Sequence, residues 1–286
     1  MPVNPLTDLV EYWNLTSNPN GNANGRNLTP TGATFTYDSE GAHFNGTDQY
    51  LSHVDAAYLQ ANNSGFLITA CVTIDSFILS AGVVGKFGDG GGDEWGVLQD
   101  EALGAYQEFG LFIQDGDASY PEIGFPQTPA SDLDLATRYF IAAWYDPTAK
   151  IIYGSLNNGT ALTASVFGSN PSTTDGFHIG GAPAFSPANL FNGKVGLVGY
   201  WIGANALTIA NDAAFMTWLY NSGAGRTYAE LAAYGQSSGG STPPPAPGVG
   251  SGSRSQARQG ATKVALPRRN PPAAMISDHS RRRPLI

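Results

Sequence analysis

Short runs of apolar residues, separated by turn sequences, follow one another along the first 235 residues and favour β-strands. The run FLITACVTIDSF (66–77) mixes apolar and small residues between NNSG and LSAG. RYFIAAWYD (138–146) and KIIYGSLNNG (150–159) are joined by a short DPTA turn, which predicts a hairpin. EWGVLQD (94–100) and EFGLFIQDGD (108–117) predict a second antiparallel pair. About a dozen such strands, joined by Asn-Gly, Asp-Gly and Gly-Gly turns, are typical of a β-sandwich or barrel.

Almost the same five residues open and close this region, LVEYW at 9–13 and LVGYW at 197–201. The first and last strands of a two-sheet sandwich commonly lie side by side, so we expect these segments to pair and to meet the same facing sheet. Trp13 and Trp201 are then expected to pack in a core or at a sheet rim, and not to serve as ligand platforms. The echo is too short to be a repeat unit.

One helix is predicted near the end of the region, in TIANDAAFMTWLYNSGAG. Its apolar residues recur at helical spacing, and Thr208 or Asn211 is suited to begin it while Gly223 is suited to end it. A second short helix is predicted over 54–60. The remaining pattern is that of strands and turns.

Composition divides the chain at residue 236. The first part, 1–235, holds 6 of the 14 bases and 22 of the 23 acids, whereas 236–286 holds eight bases and one acid in a background of Pro, Gly and Ser. Such a tail buries too little apolar surface to order itself, so we expect a disordered linker and basic tail. The tail is either a solvated extension or a docking element for an acidic surface. The docking residues would be Arg268, Arg269, Arg281, Arg282 and Arg283.

Several segments carry a family resemblance. These are LVEYW, FNGTDQYLS, RYFIAAWYD with LNNGT, HIGG, FNGKVGLVGYWIGANALT and LYNSGAGRTYAEL. Together they resemble the laminin-G-like branch of the concanavalin A-like lectin/glucanase superfamily, in its bacterial and phage versions, over residues 6–234. The resemblance implies an all-β jelly-roll sandwich of two antiparallel sheets, followed here by one short helix and the tail. Many relatives carry an acidic residue in the last strand, where this chain has Gly196 or Gly199.

The superfamily includes glucanases, but the sequence argues against catalysis. Retaining glycosidases use two carboxylates about 5 Å apart, and the spacing Glu-x-Asp-x-x-Glu or Glu-x-Asp-x-Glu that would supply them is absent. The nearest candidates are Asp93 and Glu94 with Asp100 and Glu101, at two ends of one strand, and the pair Asp132 and Asp134 in a predicted turn. We therefore expect no enzyme.

The resemblance also implies a candidate metal site, because modules of this superfamily often hold calcium at a loop edge. The four histidines are scattered without the spacing of a zinc site. The acid-rich loops offer carboxylate oxygens, the ligands that calcium prefers. The candidate residues are Asp89, Asp93, Glu94, Asp115 and Asp117. The alternative is that the Asp-Gly pairs in these loops only make turns.

The remaining function is binding. The start of the sequence lacks the basic and apolar regions of a secretory signal, no apolar run is long enough to span a membrane, and Cys71 lies in an apolar run and predicts a buried thiol. We expect a non-catalytic module of a virion, such as a decoration, fibre or tail protein with protein or glycan partners. The alternatives are a lectin-like protein of a bacterium, at the cell surface or in the cytoplasm, and a glycan hydrolase. Residues 1–235 have far more acids than bases, and this negative net charge disfavours nucleic acid as a partner of the sandwich.

Overall fold

Two β-sheets packed face to face form the body of the protein in the computed structural model, with three short helices against the outer face of one sheet. This confirms the predicted sandwich. The chain divides at residue 244, and every described residue falls in the first unit. The described residues are 3–88, 94–100, 107–114, 120–125, 133–168, 173–183 and 189–237.

Sheet I is the sheet that carries the helices. Its spatial order is β1-β16-β5-β10-β11-β12, with β3 pairing the first half of β16. The bounds are β1 (Leu9–Asn14), β3 (Ala42–Asn45), β5 (Phe66–Ser76), β10 (Arg138–Asp146), β11 (Ile151–Leu156), β12 (Leu162–Ser165) and β16 (Asn192–Ile202).

Sheet II faces sheet I across the core and has the order β2-β4-β13-β6-β7-β8-β9, with β15 joining β6 and pairing β14. Among the described strands, the single β15–β6 bridge is the one parallel contact in this sheet. The bounds are β2 (Thr29–Thr31), β4 (Tyr50–His53), β6 (Gly82–Lys86), β7 (Trp95–Asp100), β8 (Glu108–Ile113), β9 (Glu122–Phe125), β13 (Phe177–Ile179), β14 (Gly181–Ala182) and β15 (Asn189–Leu190).

Both predicted hairpins are present. Ile141 pairs with Leu156 and Asp146 with Ile151, so β10 and β11 form a continuous antiparallel ladder. β7 and β8 pair in the same way, from Trp95 opposite Ile113 to Asp100 opposite Glu108. Alternation along the strands sends one set of side chains into a shared apolar core between the sheets. Cys71 belongs to the other set and is buried against the helices.

The echoing segments pair as predicted, because β1 lies antiparallel to β16 with Leu9 opposite Trp201 and Trp13 opposite Val198. Both tryptophans are fully buried, which confirms their packing role. The expectation that they meet the same facing sheet is wrong. A β-bulge between Leu9 and Glu11 reverses the facing of β1. Trp13 therefore enters the core between the sheets, whereas Trp201 packs under the helices.

The predicted helix is divided in two, and a third helix follows. The helices are α1 (Ala204–Asn211), α2 (Ala213–Tyr220) and α3 (Tyr228–Ser237). Asp212 makes the break, because its carboxylate accepts hydrogen bonds from the Ala214 and Phe215 N–H groups and so begins α2. Neither Thr208 nor Asn211 caps a helix here. The short helix predicted over 54–60 is one 3₁₀ turn, Ala57–Leu59.

A second apolar core joins the helices to sheet I. It contains Trp201 and Trp144 from the sheet and Ile209 and Phe215 from the helices. This layer explains why the outer face of sheet I is apolar although it lies outside the sandwich. No described helix is long and apolar enough to cross a membrane. The predicted disordered tail begins at 236, and from residue 238 it lies outside the described residues.

Candidate functional site

An open groove of about 690 Å³ lies on the outer face of sheet II, at the edge formed by β4, β13 and the end of β6. Four separate segments of the chain line it, and they bring together rings, hydroxyls and two carboxylates. The lining residues are Tyr50, Ser52, His53, Val54, Asp55, Phe87, Gly88, Thr174, Asp175, Gly176, His178 and Pro183.

Strand alternation builds the floor of the groove. His178 lies opposite Ser52 on one side and Gly85 on the other, while the neighbouring Leu51 and Ile179 point into the core. The same outer row continues to Gly96 of β7. Since these positions face away from the core, their side chains are available to line an outer surface.

Two glycines make room for an aromatic ring in this floor. A Cβ atom at Gly96 would lie 2.3 Å from Cε1 of Phe87, and one at Gly85 would lie 2.8 Å from its Cζ. The Phe87 ring therefore lies flat against the sheet at the place where two side chains are missing. The centroids of the Phe87 and His178 rings are 6.3 Å apart, and those of the His178 and Tyr50 rings are 5.8 Å apart.

The rim of the groove is formed by the segment after β4. Val54 is 79% exposed, and the next ring along, Tyr58, is partly exposed. The Tyr58 hydroxyl and His53 Nε2 are 3.0 Å apart, and the Arg26 guanidinium lies 3.7 Å from the centroid of the Tyr58 ring. These contacts hold an apolar and cationic rim over a more acidic interior.

Asp175 forms the opposite wall. Its carboxylate lies so close to Gly88 that a Cβ atom there would be 2.1 Å from Oδ1. Oδ2 is shielded from solvent and accepts no hydrogen bond from the described residues. A shielded acceptor of this kind is suited to receive a hydrogen bond from a ligand hydroxyl.

A buried ion pair lies beneath the groove. Lys86 points from β6 into the core, and its ammonium is 2.7 Å from Glu94 Oε2, with both side chains fully buried. The same Nζ atom is 3.1 Å from Oδ1 of Asp55, whose side chain is 18% exposed in the groove. One buried cation therefore connects a core carboxylate with a groove carboxylate.

This polar cluster joins the two walls of the groove. Gln60 Nε2 donates to Asp55 Oδ2 (2.8 Å) and to the Thr173 carbonyl (3.2 Å). The Ala61 N–H donates to Glu94 Oε1 (3.1 Å). Gln60 thus ties Asp55 on one wall to the backbone of Thr173, two residues before Asp175 on the other wall.

Burial governs the titration of this network. Burial raises the pKa of Glu94 above its ordinary value, and the charge and hydrogen bond of Lys86 counter only part of the shift. The pKa of Tyr200 is raised well above its ordinary value by its own burial and by the negative charge of Glu94. The Tyr200 hydroxyl donates to the Leu59 carbonyl, which fixes the segment that carries Tyr58.

The residues predicted from the sequence are placed differently. Glu94 lies inside the core against Lys86 and does not extend from a loop edge. The other calcium candidates, Asp89, Asp93, Asp115 and Asp117, lie outside the described residues, as do the five tail arginines. Among the described residues, no cluster of three or more His, Cys, Asp or Glu could hold a metal ion. The calcium and docking hypotheses stay predictions.

The carboxylates considered for catalysis are not brought together in the described residues. Glu94 is fully buried, and Asp134 is exposed on a different part of the surface, where its backbone contacts the Tyr139 hydroxyl. Glu101 and Asp132 lie outside the described residues, and for Asp100 only the backbone is described.

The two glycines noted in the last strand, Gly196 and Gly199, have a structural cause. A Cβ atom at Gly196 would lie 2.3 Å from the Glu40 carbonyl oxygen, and one at Gly199 would lie 2.5 Å from the ring of Trp201. No larger side chain fits at either position without a shift of its neighbours. In this chain the last strand is adapted to close packing and offers no acid.

Sequence reasoning missed the groove. Tyr50 and Ser52 lie in FNGTDQYLS and His178 lies in HIGG, both segments that carry the family resemblance. Alternation alone would have shown these residues facing away from the core. The pairing of β4 with β13 and β6, which assembles the groove, has no signal in the order of the segments.

No family model and no curated protein matches the chain. Similar solved structures do exist. Domain 4 of AbnA, an extracellular GH43 arabinanase of Geobacillus stearothermophilus solved with arabinotriose, is 13% identical with a TM-score of 0.54. That match covers 72% of this chain and 98% of the domain.

Two further structures have the same fold. The binding domain of botulinum neurotoxin DC in complex with SialylT is 8% identical (TM-score 0.56), and 76% of this chain covers 52% of it. A sialidase of Trypanosoma rangeli is 16% identical (TM-score 0.54), and 74% of this chain covers 32% of it. The chain therefore spans about half of the toxin domain and a third of the sialidase. At these identities the likeness establishes the sandwich fold and leaves function to the site.

Proposed function

We propose that the sandwich is a non-catalytic glycan-binding module and that the groove on sheet II holds the sugar. The observation that carries the proposal is the combination found there. The rings of Tyr50 and His178 lie beside the acceptors Asp55 and Asp175, over a floor closed by the buried Phe87 ring. Sugars have apolar faces that pack on rings and hydroxyls that donate to carboxylates, so both halves of this arrangement have a use.

The charge of the groove selects a class of glycan. Two aspartates line it, and the nearest lysine, Lys86, is fully buried and already paired. No lysine or arginine is among the described lining residues, and the Arg26 guanidinium at the rim packs over the Tyr58 ring. An anionic sugar in the groove would therefore be repelled by Asp175 at short range without a lining lysine or arginine to offset it. A neutral saccharide is the ligand that this groove fits.

The similar structures support a glycan ligand without defining it. The arabinanase domain was solved with arabinotriose and the toxin domain with SialylT. These ligands differ in charge, and the identities are far too low to transfer either one to this chain.

The state of the carboxylates supports binding over hydrolysis. A glycosidase needs an acid that can donate a proton and a second carboxylate placed across the sugar bond. Asp55 is ion-paired to Lys86 and accepts a hydrogen bond from Gln60. Both contacts favour the ionised carboxylate, which can accept a hydrogen bond from a sugar but has no proton to donate. Glu94 is sealed in the core and cannot reach a substrate.

A glycan array followed by calorimetry tests the proposal. We expect a neutral oligosaccharide to bind, with Asp175→Asn and His178→Ala weakening the affinity at least tenfold. His43→Ala, on the outer surface of sheet I, is the matched histidine control and is expected to bind as the parent does. The proposal is overturned if no glycan binds or if the groove variants keep full affinity. Release of reducing sugar by the parent would replace it with the hydrolase alternative.

Display of this module on a virion is a separate proposal that rests on the sequence. The basic tail would dock on an acidic partner while the sandwich is presented outward. Comparing the native mass of the full chain with that of residues 1–237, which keep α3 whole, tests whether the tail drives assembly. The proposal is supported if the full chain assembles and the truncated chain does not. It is contradicted if the two proteins have the same assembly state both alone and after a virion fraction is added.

A further inference from the structure

A second cavity lies on the other side of the sandwich, between the helices and the β10–β11 hairpin. It has a volume of about 300 Å³, which is at the lower end for small-molecule sites. Trp144 of β10 and Ser155 of β11 border it from the sheet, and Asn158 borders it from the turn that follows. The ends of α1 and α2 that meet at Asp212 close the other side.

Small side chains leave this space open. Gly159, Ala161, Ala210 and Ala213 all line the cavity, and none has more than a methyl group to fill it. Met216 and Trp144 are buried beside them. A separate, more open hollow of about 570 Å³ lies on the other side of the junction between α1 and α2 and shares Asn211 and Ala213 with this cavity.

The polar groups around the cavity are held in place by hydrogen bonds to the protein, which use one N–H of each amide and leave its second N–H and its oxygen for a ligand. Asn158 Nδ2 donates to Thr217 Oγ1 (3.0 Å), and Asn211 Nδ2 donates to the Leu207 carbonyl (2.8 Å). The Ser155 hydroxyl donates to the Gly159 carbonyl (2.8 Å). A ligand can therefore meet the oxygen and one N–H of each amide and the acceptor lone pairs of the hydroxyl.

An aromatic ring completes the wall. Trp144 is stacked on Tyr153 with a centroid distance of 4.9 Å and an interplanar angle of 2°. Tyr153 covers one face of the indole, and the indole also borders the cavity, although only 6% of the residue is exposed. The ring is fixed before any ligand arrives, which lowers the entropic cost of binding.

None of the residues lining this cavity carries an ionisable side chain. We infer that it is a second binding site, for a single neutral sugar ring. The ring would lie beside Trp144 and donate its hydroxyls to the amide oxygens of Asn158 and Asn211. The site is independent of the groove on sheet II, since the two lie on opposite outer faces of the sandwich. With both sites, one copy of the module could bind two sugar residues at once, either on two branches of one glycan or on two neighbouring glycans of a dense surface.

The test uses a filling variant and a matched control. Ala213 is exposed and lines the cavity, whereas its neighbour Ala214 is equally exposed and does not line it. Ala213→Leu is expected to fill the space and weaken binding at least tenfold, while Ala214→Leu should change it less than twofold. Binding of neutral methyl pyranosides and methyl furanosides to the full chain is followed through the Trp144 indole NMR signal, assigned with Trp144→Phe.

Groove variants separate this site from the proposed function. His178→Ala should leave the titration at Trp144 unchanged, even if it abolishes binding of the longer glycan. For a single sugar ring we expect a dissociation constant of about 1 mM. The inference is overturned if none of the methyl glycosides shifts the Trp144 signal at about 50 times that concentration. It is also overturned if Ala213→Leu and Ala214→Leu behave alike, or if indole alone binds more tightly than every sugar tested.

Discussion

Lys86 and Glu94 form an ion pair 2.7 Å long between two side chains that are both fully buried in the sandwich. Glu94 comes directly before β7 and Lys86 ends β6, and the Glu94 N–H donates to the Lys86 carbonyl, so the backbone ladder holds the pair in register. Because Asp55 shares the same ammonium, this buried pair also positions one wall of the groove.

Removing one partner of this pair should destabilise the fold strongly. Lys86→Met leaves the Glu94 carboxylate buried without its cation, and we expect a loss of about 3–5 kcal/mol in the free energy of unfolding. The double variant Lys86→Met/Glu94→Met removes both charges of the pair and should recover most of that loss. Urea denaturation of the three proteins measures both effects. A double variant no more stable than Lys86→Met would contradict this account of the pair.

The same double variant makes a prediction about binding. Asp55 loses its cation there, although the fold is retained, so the groove wall it occupies is less well fixed. We expect weaker glycan binding without a matching loss of stability. Calorimetry on the folded double variant checks this, and unchanged affinity would show that Asp55 needs no buried partner.

Gly88 is predicted to be required for the groove. A methyl group there would overlap Oδ1 of Asp175, so Gly88→Ala should displace this carboxylate and weaken glycan affinity at least tenfold. Gly235→Ala, which lines neither cavity, is the control, because a Cβ atom there would meet only side-chain atoms of Leu6 and Asn4 at 3.0–3.1 Å. Equal glycan affinity of the two variants would argue that Asp175 takes no part in binding.

The strands were the most predictable part of the molecule, because alternation and turn residues are local signals. The hairpin of β10 and β11 follows from residues that are adjacent in sequence. The bulge that turns Trp13 and Trp201 to opposite faces, and the break that Asp212 makes between α1 and α2, depend on single residues within otherwise regular patterns. The groove was the least predictable, because tertiary pairing alone joins its four segments.

Glu94 illustrates the same limit within the site. In sequence it follows a Gly- and Asp-rich stretch and has the pattern of an exposed ligand loop. Trp95 faces the core, so regular alternation would turn Glu94 outward, but Glu94 lies just before the strand and its carboxylate turns inward to Lys86. A charged residue next to a strand can face either way, and only the partner across the ladder decides which.

Acid should weaken the surface of sheet I through Asp38. Partial burial would raise the pKa of Asp38, but hydrogen bonds from the Glu40 N–H, Lys194 and His43 outweigh it and hold the pKa well below its usual range. The stabilisation is therefore present above the ordinary pKa of about 3.9 and is lost as the pH falls below it. Because the group is partly exposed, Asp38→Asn should cost about 0.5–1 kcal/mol at neutral pH.

A pH series of urea unfolding from pH 2 to 7 measures this effect. The difference in stability between the parent and Asp38→Asn should shrink steadily as the pH falls from about 4 to 2. Asp48→Asn, on a surface loop and without an ion pair among the described residues, serves as the control. A difference that stays constant across the series would contradict the assignment.

The raised pKa of Glu94 has the opposite consequence. A carboxyl whose pKa is higher in the folded than in the unfolded protein favours folding when it is protonated, so its contribution falls as the pH rises through the folded value. We expect Glu94→Gln to flatten the decline in unfolding free energy between about pH 4.5 and neutrality. The parent and the variant are compared by urea unfolding, and parallel curves would rule out this role of Glu94.

The position of β16 determines when the sandwich can be completed during synthesis. This strand lies between β1 and β5 in sheet I, so the first strand made has no permanent neighbour until almost the last one has been added. At roughly 5–20 residues per second, the 9–13 segment waits on the order of 10–40 s on the ribosome. Its edge toward β16 has no strand to pair with during that interval. In the finished protein the buried Glu11 of this strand accepts hydrogen bonds from the N–H groups of Tyr12, Ala23, Asn24 and Arg26, all of which are made long before β16.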